Sequence, residues 1–341
     1  MLVLGIESTC DETACSIVKN GKEILSNVVA SQIDLHQQYG GVVPELACRR
    51  HIDLIMPVID QALKEANVTL NEIDLFAVAY GPGLIGAILI GLNTAKGLAL
   101  ALNKPFIGVN HVEAHLYAAL MSQPHPTTFP ALGVVLSGGH TTLVLIKGLG
   151  EYLLIGQTVD DALGEAFDKV AKMMSLPYPG GPKIEELAHS GDPSKFSFKA
   201  GHVKTNPFDF SFSGLKTAVL YAIKKEQEKN PELSEQNKYD LAASFQKAAF
   251  DDIIKKTKLA VEKYPVSSIV FGGGVTNNQT LKQLFHQHPD FSKFHLIWPS
   301  MGLSLDNAAM IAGLGYDLFQ RKGSGDSIDL EPLTRIPFSV V

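Results

Sequence analysis

The stretch ALGVVLSGGHTTLVLI at residues 131–146 decides the fold class. Two apolar runs rich in β-branched residues flank a Ser-Gly-Gly-His-Thr segment, a pattern that predicts a strand, a tight turn and a returning strand. Gly138 and Gly139 can adopt backbone conformations that are closed to other residues, and they carry no side chains that would keep a ligand away. The turn is therefore predicted to offer backbone amides to an anion such as a phosphate.

The same pattern occurs at the N-terminus. Residues 2–18 read LVLGIESTCDETACSIV, which predicts a strand, a hydroxyl-rich turn and a second strand. A further glycine cluster, FGGGVTNN at residues 271–278, follows another apolar run. Three such loops, each at the end of a predicted strand, favour a nucleotide held in a cleft.

The chain length predicts two lobes, because 341 residues exceed one typical domain and 45% hydrophobic residues can fill two cores. Predicted strands alternate with predicted helices, which is typical of an α/β protein. The segment at residues 123–130 contains three prolines and is the predicted link between the lobes. We expect an N-terminal lobe at residues 1–125, joined by residues 319–341, and a C-terminal lobe at residues 126–318.

The charge balance argues against a general attraction to nucleic acid. Charged residues make up 19% of the chain and the formal net charge is −6, so any RNA contact must be local or supplied by partners. The three cysteines have no CxxC spacing, which favours neither a disulfide framework nor a structural zinc site and fits a reducing cytosol.

One apolar segment, residues 84–102, could be mistaken for a membrane span. Asn93, Thr94 and Lys96 interrupt it near its middle, where a lipid-facing helix tolerates polar groups least. We expect a buried helix instead. The N-terminus has no basic region before its short apolar run, so we expect no signal peptide.

Two histidines in NHVEAH, residues 110–115, form a candidate metal site. If a helix begins here with Asn110 as its cap, His111 and His115 lie one turn apart on the same face and could bind one ion. On spacing alone, packed or capping histidines are the favoured interpretation, and a shared metal ion is the alternative. The order H-x-E-x-H differs from the H-E-x-x-H of zinc proteases, which disfavours a protease.

Other polar positions are ambiguous when read alone. Residues 44–66 carry apolar residues near the helical period, which predicts a helix that Pro57 splits or kinks. Residues 49–51 of this helix, Arg-Arg-His, fit a solvated face or a contact with a partner or RNA. Asp168 fits an ordinary exposed acid or one turned toward the cleft, and Asp306 fits a helix cap. Residues 196–216 interleave aromatic residues with lysines; a strand hairpin with inward phenylalanines is favoured over a nucleotide-stacking surface.

Taken in order, the motifs resemble those of the TsaD family, the tRNA N6-adenosine threonylcarbamoyltransferases once labelled O-sialoglycoprotein endopeptidases. The resemblance implies a two-lobed α/β fold of the actin, Hsp70 and sugar-kinase type, with a duplicated ribonuclease-H-like βαβ core and a cleft between the lobes. The motifs that carry it are GIESTCDET (5–13), GGVVPELACRRH (40–51), GPGL (81–84), NHVEAH (110–115), LSGGHT (136–141), GEAFDKVAK (164–172), YPGGP (178–182), FSFSGLKTA (210–218), GGVTNN (273–278) and LDNAAMIA (305–312).

The resemblance also implies a set of site residues. It assigns His111, His115 and Asp306 to one divalent metal ion, Fe2+ or Zn2+. It assigns a pocket for ATP or the adenylate of threonylcarbamoyl-AMP, which allows Mg2+ beside the nucleotide, to Val135, Leu136, Ser137, Gly138, Gly139, Asp168, Gly181, Glu185 and Asn278. We add the hypothesis that Asp11, beside Glu12 in the first turn, acts near the phosphate or as proton acceptor.

The implied reaction transfers the threonylcarbamoyl group from threonylcarbamoyl-AMP to the N6 amine of adenosine 37 in tRNAs that read codons beginning with A. The implied partners are tRNA, TsaB and TsaE, with TsaC or TsaC2 as the supplier of threonylcarbamoyl-AMP, in the cytoplasm and away from membranes. A small-molecule kinase of the same superfold and a non-catalytic ATP-dependent scaffold remain alternatives. The sequence leaves open whether the metal is iron or zinc and whether ATP is hydrolysed.

Overall fold

The computed structural model describes residues 1–336 and residue 338. Contacts divide the chain into two compact units, Met1–Pro126 with Pro299–Phe338, and Thr127–Trp298. The first change of unit falls inside the predicted link at residues 123–130. The chain returns to the first unit at Pro299, whereas the predicted boundary lies at residue 319. The reason is that the segment before the last helix already packs with the first unit.

The first unit contains a five-stranded sheet formed by β1 (Leu2–Glu7), β2 (Glu12–Lys19), β3 (Glu23–Ser31), β4 (Leu75–Gly81) and β5 (Phe106–Asn110). The strand order is β3-β2-β1-β4-β5. Neighbours β1 and β2, and β2 and β3, are antiparallel, whereas β1 and β4, and β4 and β5, are parallel. The central strands β1 and β4 are almost continuously buried, as expected of strands covered on both faces.

The second unit repeats this sheet with β6 (Ala131–Leu136), β7 (Thr141–Gly148), β8 (Glu151–Gln157), β9 (Ser268–Gly272) and β10 (His295–Ile297). Its order, β10-β9-β6-β7-β8, is the same arrangement read from the other edge. The hairpin strands are again antiparallel, and β6, β9 and β10 are again parallel. The repeated hairpin predicted from residues 2–18 and 131–146 is therefore confirmed.

The helices follow the predicted α/β alternation. The helix predicted at residues 44–66 forms with those bounds, and Pro57 lies inside it without ending it. The α-helices are α1 (Ile33–Gln37), α2 (Pro44–Ala66), α3 (Ile85–Leu102), α4 (His111–Met121), α5 (Leu163–Met173), α6 (Gly180–Ala188), α7 (Ser213–Lys229), α8 (Glu235–Lys263), α9 (Gln279–Gln287) and α10 (Ala308–Lys322). Short 3-10 helices occupy Leu70–Glu72, Gly274–Asn277 and Pro289–Phe291.

In the first unit, α2 and α3 cover one face of the sheet and α10 covers the other. Small residues permit the close approach of α10: a Cβ added at Gly5 would lie 2.4 Å from the Ala308 carbonyl oxygen, and one added at Gly315 would lie 2.4 Å from the Ala77 Cβ. A helix that packs this closely brings the residues just before it to the end of β1. Asp306 is one of those residues.

Helix α3 was expected to be buried, and the structure corrects this. Among the described residues, one helix, Ile85–Leu102, is long and apolar enough to cross a membrane, and 33% of it is buried inside the protein. Its buried side packs on the sheet, while Ile85, Leu89 and Leu100 are exposed.

The strand hairpin favoured for residues 196–216 is wrong. The structure describes this whole segment and assigns it no strand, only an isolated bridge between Phe210 and Thr158 before α7 begins. Side-chain hydrogen bonds take the place of the predicted strand pairing. The Asn206 side chain donates to the Ile155 carbonyl oxygen, and the Asp209 carboxylate accepts from the Gln157 amide. The phenylalanines do face inward, and each fully buried one contributes on the order of 1.5–3 kcal/mol to folding; the buried set is Phe208, Phe210 and Phe212.

The polar tail after α10 is held to the first sheet by hydrogen bonds. Asp326 accepts a hydrogen bond from the Gly108 amide at 2.8 Å, and its own amide donates to the Phe106 carbonyl at 2.8 Å. Farther along, Lys96 Nζ lies 2.6 Å from the Leu330 carbonyl oxygen. The tail therefore covers the β5 edge of the first sheet through one backbone hydrogen bond and the Asp326 side chain, which composition does not reveal.

Candidate metal centre and nucleotide loops

The histidine pair lies at the start of α4, as its spacing predicts. Asn110 caps this helix, because its Oδ1 accepts hydrogen bonds from the amides of Val112 and Glu113 at 2.9 and 3.3 Å. Because α4 begins directly after Asn110, His111 and His115 lie one turn apart on the same face of the helix. Their ring centroids are 4.7 Å apart with the ring planes at 81°, so both rings can present a nitrogen to the same point.

Asp306 completes a three-residue group, which we call the metal cluster (His111, His115 and Asp306). Its Oδ1 lies 3.1 Å from Nε2 of His115 and 3.6 Å from Nε2 of His111. The candidate ligand atoms of the three residues all lie within 4.8 Å of one another. The alternative of Asp306 as a helix cap is wrong, since the neighbouring Asn307 caps α10 by accepting from the Met310 amide at 3.1 Å.

Two observations fit a cation at this cluster. Nδ1 of His115 is buried without a hydrogen-bond partner in the described part of the chain, and the Asp306 carboxylate lies 3.1 Å from its buried Nε2 without hydrogen-bond geometry. A buried ring nitrogen without a hydrogen bond is costly unless something binds it. In contrast, Nδ1 of His111 lies 2.9 Å from Glu7 Oε2, which orients its Nε2 toward Asp306. A carboxylate behind a histidine is the arrangement that usually supports a metal ligand.

The charges around His111 counteract the effect of burial on the pKa of this residue. Burial alone lowers the pKa of this imidazole, but the carboxylates of Glu7 and Asp306 outweigh it and raise the pKa to about 9. The cluster is thus strongly negative and favours a positive charge at its centre. A proton supplies that charge in the protein alone, and a divalent ion could replace it.

The turn between β1 and β2, residues 8–12, borders the metal cluster; we call it the N-terminal turn. The hydroxyl of Thr9 lies 3.3 Å from His111 Nδ1, and Asp11 is buried. Burial and the nearby charges of Asp306 and Asp11 raise the pKa of Glu12 to about 10. Its Oε1 accepts a hydrogen bond from the Ser31 hydroxyl at 3.2 Å.

The predicted nucleotide residues lie in the second unit, where β6 and β9 end. Val135 and Leu136 end β6, and Ser137 closes the following turn, with its amide 2.8 Å from the His140 carbonyl oxygen. A Cβ added at Gly273 would lie 2.4 Å from the Leu136 carbonyl oxygen, so the two glycine loops touch. At the other predicted glycines an added Cβ meets no described atom within 4 Å; these are Gly138, Gly139 and Gly181.

The polar members of this predicted pocket hold the loops together in this structure. Asp168 Oδ1 accepts from the Gly180 amide at 2.7 Å, at the start of α6. Glu185 Oε1 accepts from the Gln279 amide at 2.7 Å, at the start of α9. Asn278 caps α9 through the Leu281 amide and donates to Gln246. These residues organise the loop ends, and their contact with a nucleotide remains a prediction.

Comparison with known proteins agrees with this arrangement. A family model named TsaD, described as tRNA N6-adenosine threonylcarbamoyltransferase, matches residues 23–313. The chain is 70% identical over 343 aligned residues to the tRNA N6-adenosine threonylcarbamoyltransferase of Protochlamydia amoebophila, covering 100% of this chain and 99% of that protein. The chain belongs to the TsaD family. A relative with the same name from Chlamydia trachomatis serovar L2b is 53% identical over 94% of this chain and 93% of its own length.

Solved structures of more distant proteins share the TsaD-family fold. HypF of T. kodakarensis matches with a TM-score of 0.62 and 14% identity, over 94% of this chain and 48% of its own. The ROK hexokinase of Thermus thermophilus matches with a TM-score of 0.51 and 16% identity, over 95% of this chain and 100% of its own. At such identities the likeness shows the fold alone, and it confirms the predicted sugar-kinase and actin type.

Two features of this TsaD-family chain were missed in the sequence. The first feature is Glu7, a fully buried acid at the end of an apolar strand. An acidic residue directly after an apolar run is the sequence pattern that could have indicated it. The second feature is the pair Asp160 and Asp161. Asp160 accepts a hydrogen bond from the Phe212 amide at 2.8 Å, just before α7. Asp161 forms ion pairs with Lys169 and Lys216 at 2.6 and 2.5 Å. Burial alone raises the pKa of Asp161, but the hydrogen bonds from these lysines lower it overall.

Proposed function

We propose that this chain transfers the threonylcarbamoyl group from threonylcarbamoyl-AMP to the N6 amine of adenosine 37 in tRNAs that read codons beginning with A. The observation that carries the proposal is the 70% identity, over the full chain, to a relative named tRNA N6-adenosine threonylcarbamoyltransferase. The metal cluster supports it, because a sugar-kinase reaction has no use for two histidines and an aspartate around one point.

The metal cluster has the donor set of an open catalytic site. His111, His115 and Asp306 would hold Fe2+ or Zn2+, and three protein ligands are typical of a catalytic site that also takes a substrate group. When bound, such an ion supplies a Lewis acid that can polarise the carbonyl of the threonylcarbamoyl group. Glu7 orients His111 for this role through the 2.9 Å contact with its Nδ1.

The reaction needs a proton acceptor beside the attacking amine. The N6 nitrogen attacks the carbamoyl carbon, a C–N bond forms, and the bond from that carbon to the phosphate oxygen breaks, so that AMP leaves with the electron pair. The amine gives one proton to a base. We propose Asp11 as that base, with Glu12 beside it in the N-terminal turn.

Replacing Asp11 with Asn tests this assignment. The amide keeps the shape of the side chain but cannot accept the proton, so we expect the transfer rate to fall on the order of 10²–10⁴-fold while threonylcarbamoyl-AMP binding changes little. Single-turnover transfer and calorimetric binding measure the two effects. Equal losses in both would remove Asp11 as the base.

The glycine loops of the second unit are proposed to hold the adenylate. Gly138, Gly139 and Gly181 leave open space where side chains would stand, and the start of α6 offers backbone amides near Gly181. ATP fits the same loops, and Mg2+ would accompany it. Supply of the intermediate by TsaC or TsaC2 and assembly with TsaE are further parts of this proposal.

The exposed sides of α2 and α3 are the proposed TsaB contact. Helix α2 exposes 61% of Ile52 and 45% of Met56, and α3 exposes 46% of Ile85 and 38% of Leu89. The two helices meet closely, since a Cβ at Gly86 would lie 2.6 Å from Cys48 Sγ. We call Ile52, Met56, Ile85 and Leu89 the apolar helix face. An exposed apolar patch of this kind marks an interaction site.

A nucleoside assay tests the proposed function. The chain is incubated with its partners, threonylcarbamoyl-AMP and unmodified tRNA, and the digested tRNA is searched for N6-threonylcarbamoyladenosine. We expect product with the wild type and none with His115→Gln, which removes a ligand of the cluster. His125→Gln, an exposed histidine of the same unit, should leave activity unchanged. Absence of product with every component present would leave the scaffold or kinase alternative.

A further inference from the structure

His51 is a buried histidine that the proposed reaction does not use. In the sequence it stands with Arg49 and Arg50 as part of a solvated or partner-binding face. The structure exposes both arginines but turns His51 inward, with 0% of its surface exposed. It occupies the inward stripe of α2 with Ala47, Ile55 and Val58, so the helical period separates it from its charged neighbours.

Both ring nitrogens of His51 are engaged by residues near the N-terminal turn. Nε2 lies 3.0 Å from the Cys10 carbonyl oxygen, and Nδ1 lies 2.7 Å from the Thr13 hydroxyl. Because a carbonyl only accepts, Nε2 must donate, and in the neutral ring Nδ1 accepts from Thr13. Burial favours this neutral form by lowering the pKa of His51, although the Cys10 carbonyl and nearby acids oppose it.

The N-terminal turn is held at three successive carbonyls by three separate elements. The Leu84 amide before α3 donates to the Thr9 carbonyl at 2.8 Å, and the Gln32 amide before α1 donates to the Asp11 carbonyl at 3.0 Å. His51 holds the carbonyl between them. Of these three donors, the Leu84 and Gln32 amides belong to the backbone and His51 Nε2 belongs to a side chain. A single substitution can therefore remove the His51 donor without changing the backbone.

We propose that His51 is a positioning residue that holds the N-terminal turn beside the metal cluster through its hydrogen bond to the Cys10 carbonyl. This inference rests on the proposed transfer function. His51 acts through the backbone of Cys10, next to Asp11, and touches no reacting group. A turn that loses this contact can shift Thr9 away from His111 and the Asp11 carboxylate away from its working position.

Three variants separate positioning from general stability. His51→Leu removes both hydrogen bonds, whereas His51→Gln places an amide donor where Nε2 stands and can restore the Cys10 contact. Thr13→Val removes the other hydrogen bond of His51 and keeps the Cys10 contact. Each variant is assayed in the complete complex for kcat, for KM of tRNA and threonylcarbamoyl-AMP, for metal content and for melting temperature.

We expect His51→Leu to lower kcat on the order of 10²-fold, the effect of a misplacement near 1 Å, with KM values and metal content near those of the wild type. His51→Gln should recover most of the lost kcat. Thr13→Val should lower the melting temperature yet keep kcat within about threefold of the wild type, because it changes no transition-state contact.

A second measurement keeps the inference separate from the proposed function. Amide hydrogen exchange of the peptide covering residues 8–13 should be faster in His51→Leu than in Thr13→Val. If the wild type makes no modified nucleoside, the proposed function fails, and exchange still tests whether His51 holds the turn. Unchanged exchange and kcat in a folded His51→Leu protein would overturn the inference, as would kcat losses that simply follow melting temperature across all three variants.

Discussion

Glu7 ends β1 as a fully buried carboxylate. One oxygen accepts from the Thr9 amide at 2.6 Å and the other lies 2.9 Å from His111 Nδ1. The first contact begins the N-terminal turn, and the second selects which nitrogen of His111 faces Asp306. A single residue therefore links the strand, the turn and the metal cluster, and its two hydrogen bonds offset the cost of burying its charge.

Replacing Glu7 with Gln should weaken metal binding. The amide loses the negative charge behind His111, so we expect the affinity for Zn2+ or Fe2+ to fall about 10–100-fold. Competition with a chromophoric chelator measures this loss. Glu65→Gln, which changes an exposed glutamate of α2, serves as the matched control. A Glu7→Gln affinity equal to that of the control would mean that this carboxylate does not support the cluster.

At the scale of elements, the proposed nucleotide loops lie at the strand ends, and side chains from neighbouring elements fix them. Asp160 and Asp161 follow β8. Asp160 accepts hydrogen bonds from the Phe212 and Ser213 amides at the start of α7, and Asp161 ties Lys169 of α5 to Lys216 of α7. These contacts keep α5 against the Ser137 turn, where a Cβ at Gly164 would lie 2.8 Å from the Ser137 carbonyl oxygen. Loop geometry thus depends on ion pairs that lie outside the loop.

Asp161→Asn should remove a pH-dependent part of the stability. The folded pKa of Asp161 lies below its ordinary value of 3.8, so its contribution is complete above that value and is lost as the pH falls through the folded pKa. We expect a lower melting temperature than wild type near neutral pH and convergence of the two proteins at pH below 3.8. Thermal unfolding across this range measures the difference, and a constant offset at every pH would contradict the assignment.

Gly139→Ala and Gly273→Ala form a matched pair of loop variants. At Gly139 an added Cβ meets no described atom within 4 Å, so stability should be unchanged while the methyl group obstructs the adenylate. At Gly273 the φ of 92° and a 2.4 Å approach to the Leu136 carbonyl oxygen should destabilise the protein by more than about 1–2 kcal/mol.

Thermal unfolding and threonylcarbamoyl-AMP titration separate these two effects. Binding that is unaffected in a stable Gly139→Ala protein would count against a nucleotide at this loop. A Gly273→Ala protein as stable as the wild type would show that the loop can relax around the new methyl group.

At the scale of the whole molecule, the chain consists of two units with the same sheet connectivity and a net negative charge of −6. A protein of this charge gains little from general attraction to tRNA phosphates. Partners are therefore expected to supply part of the tRNA affinity, and the apolar helix face on α2 and α3 is the surface proposed for one of them.

Charge introduced into the apolar helix face should weaken assembly. Ile52→Asp combined with Arg50→Glu places negative charge on α2 at exposed positions, so folding should be unaffected. We expect TsaB affinity to fall on the order of 30-fold or more, the effect typical of a central interface residue. Leu100→Asp, at the far end of α3 and 67% exposed, is the control. Calorimetric affinities unchanged by the α2 variant would place the contact elsewhere.

The local elements of this protein follow from its sequence. The helix at Pro44–Ala66, the Asn110 cap and the two turns with their flanking strands depend on periodicity and on residues a few positions apart, and short-range sterics and hydrogen bonds determine such features. The family motifs add the fold class and the reaction. The predictions of local elements succeed because each depends on a pattern contained within one segment.

The tertiary structure decided which distant groups meet. The approach of Asp306 to His115, the inward turn of His51 and the hydrogen bonds of the tail to β5 depend on how α2, α10 and the tail pack on one sheet. The same holds for residues 196–216, where buried phenylalanines replace a predicted hairpin. Local propensity carries no information on sheet order or on close helix packing, and the burial of distant segments against one another determines both.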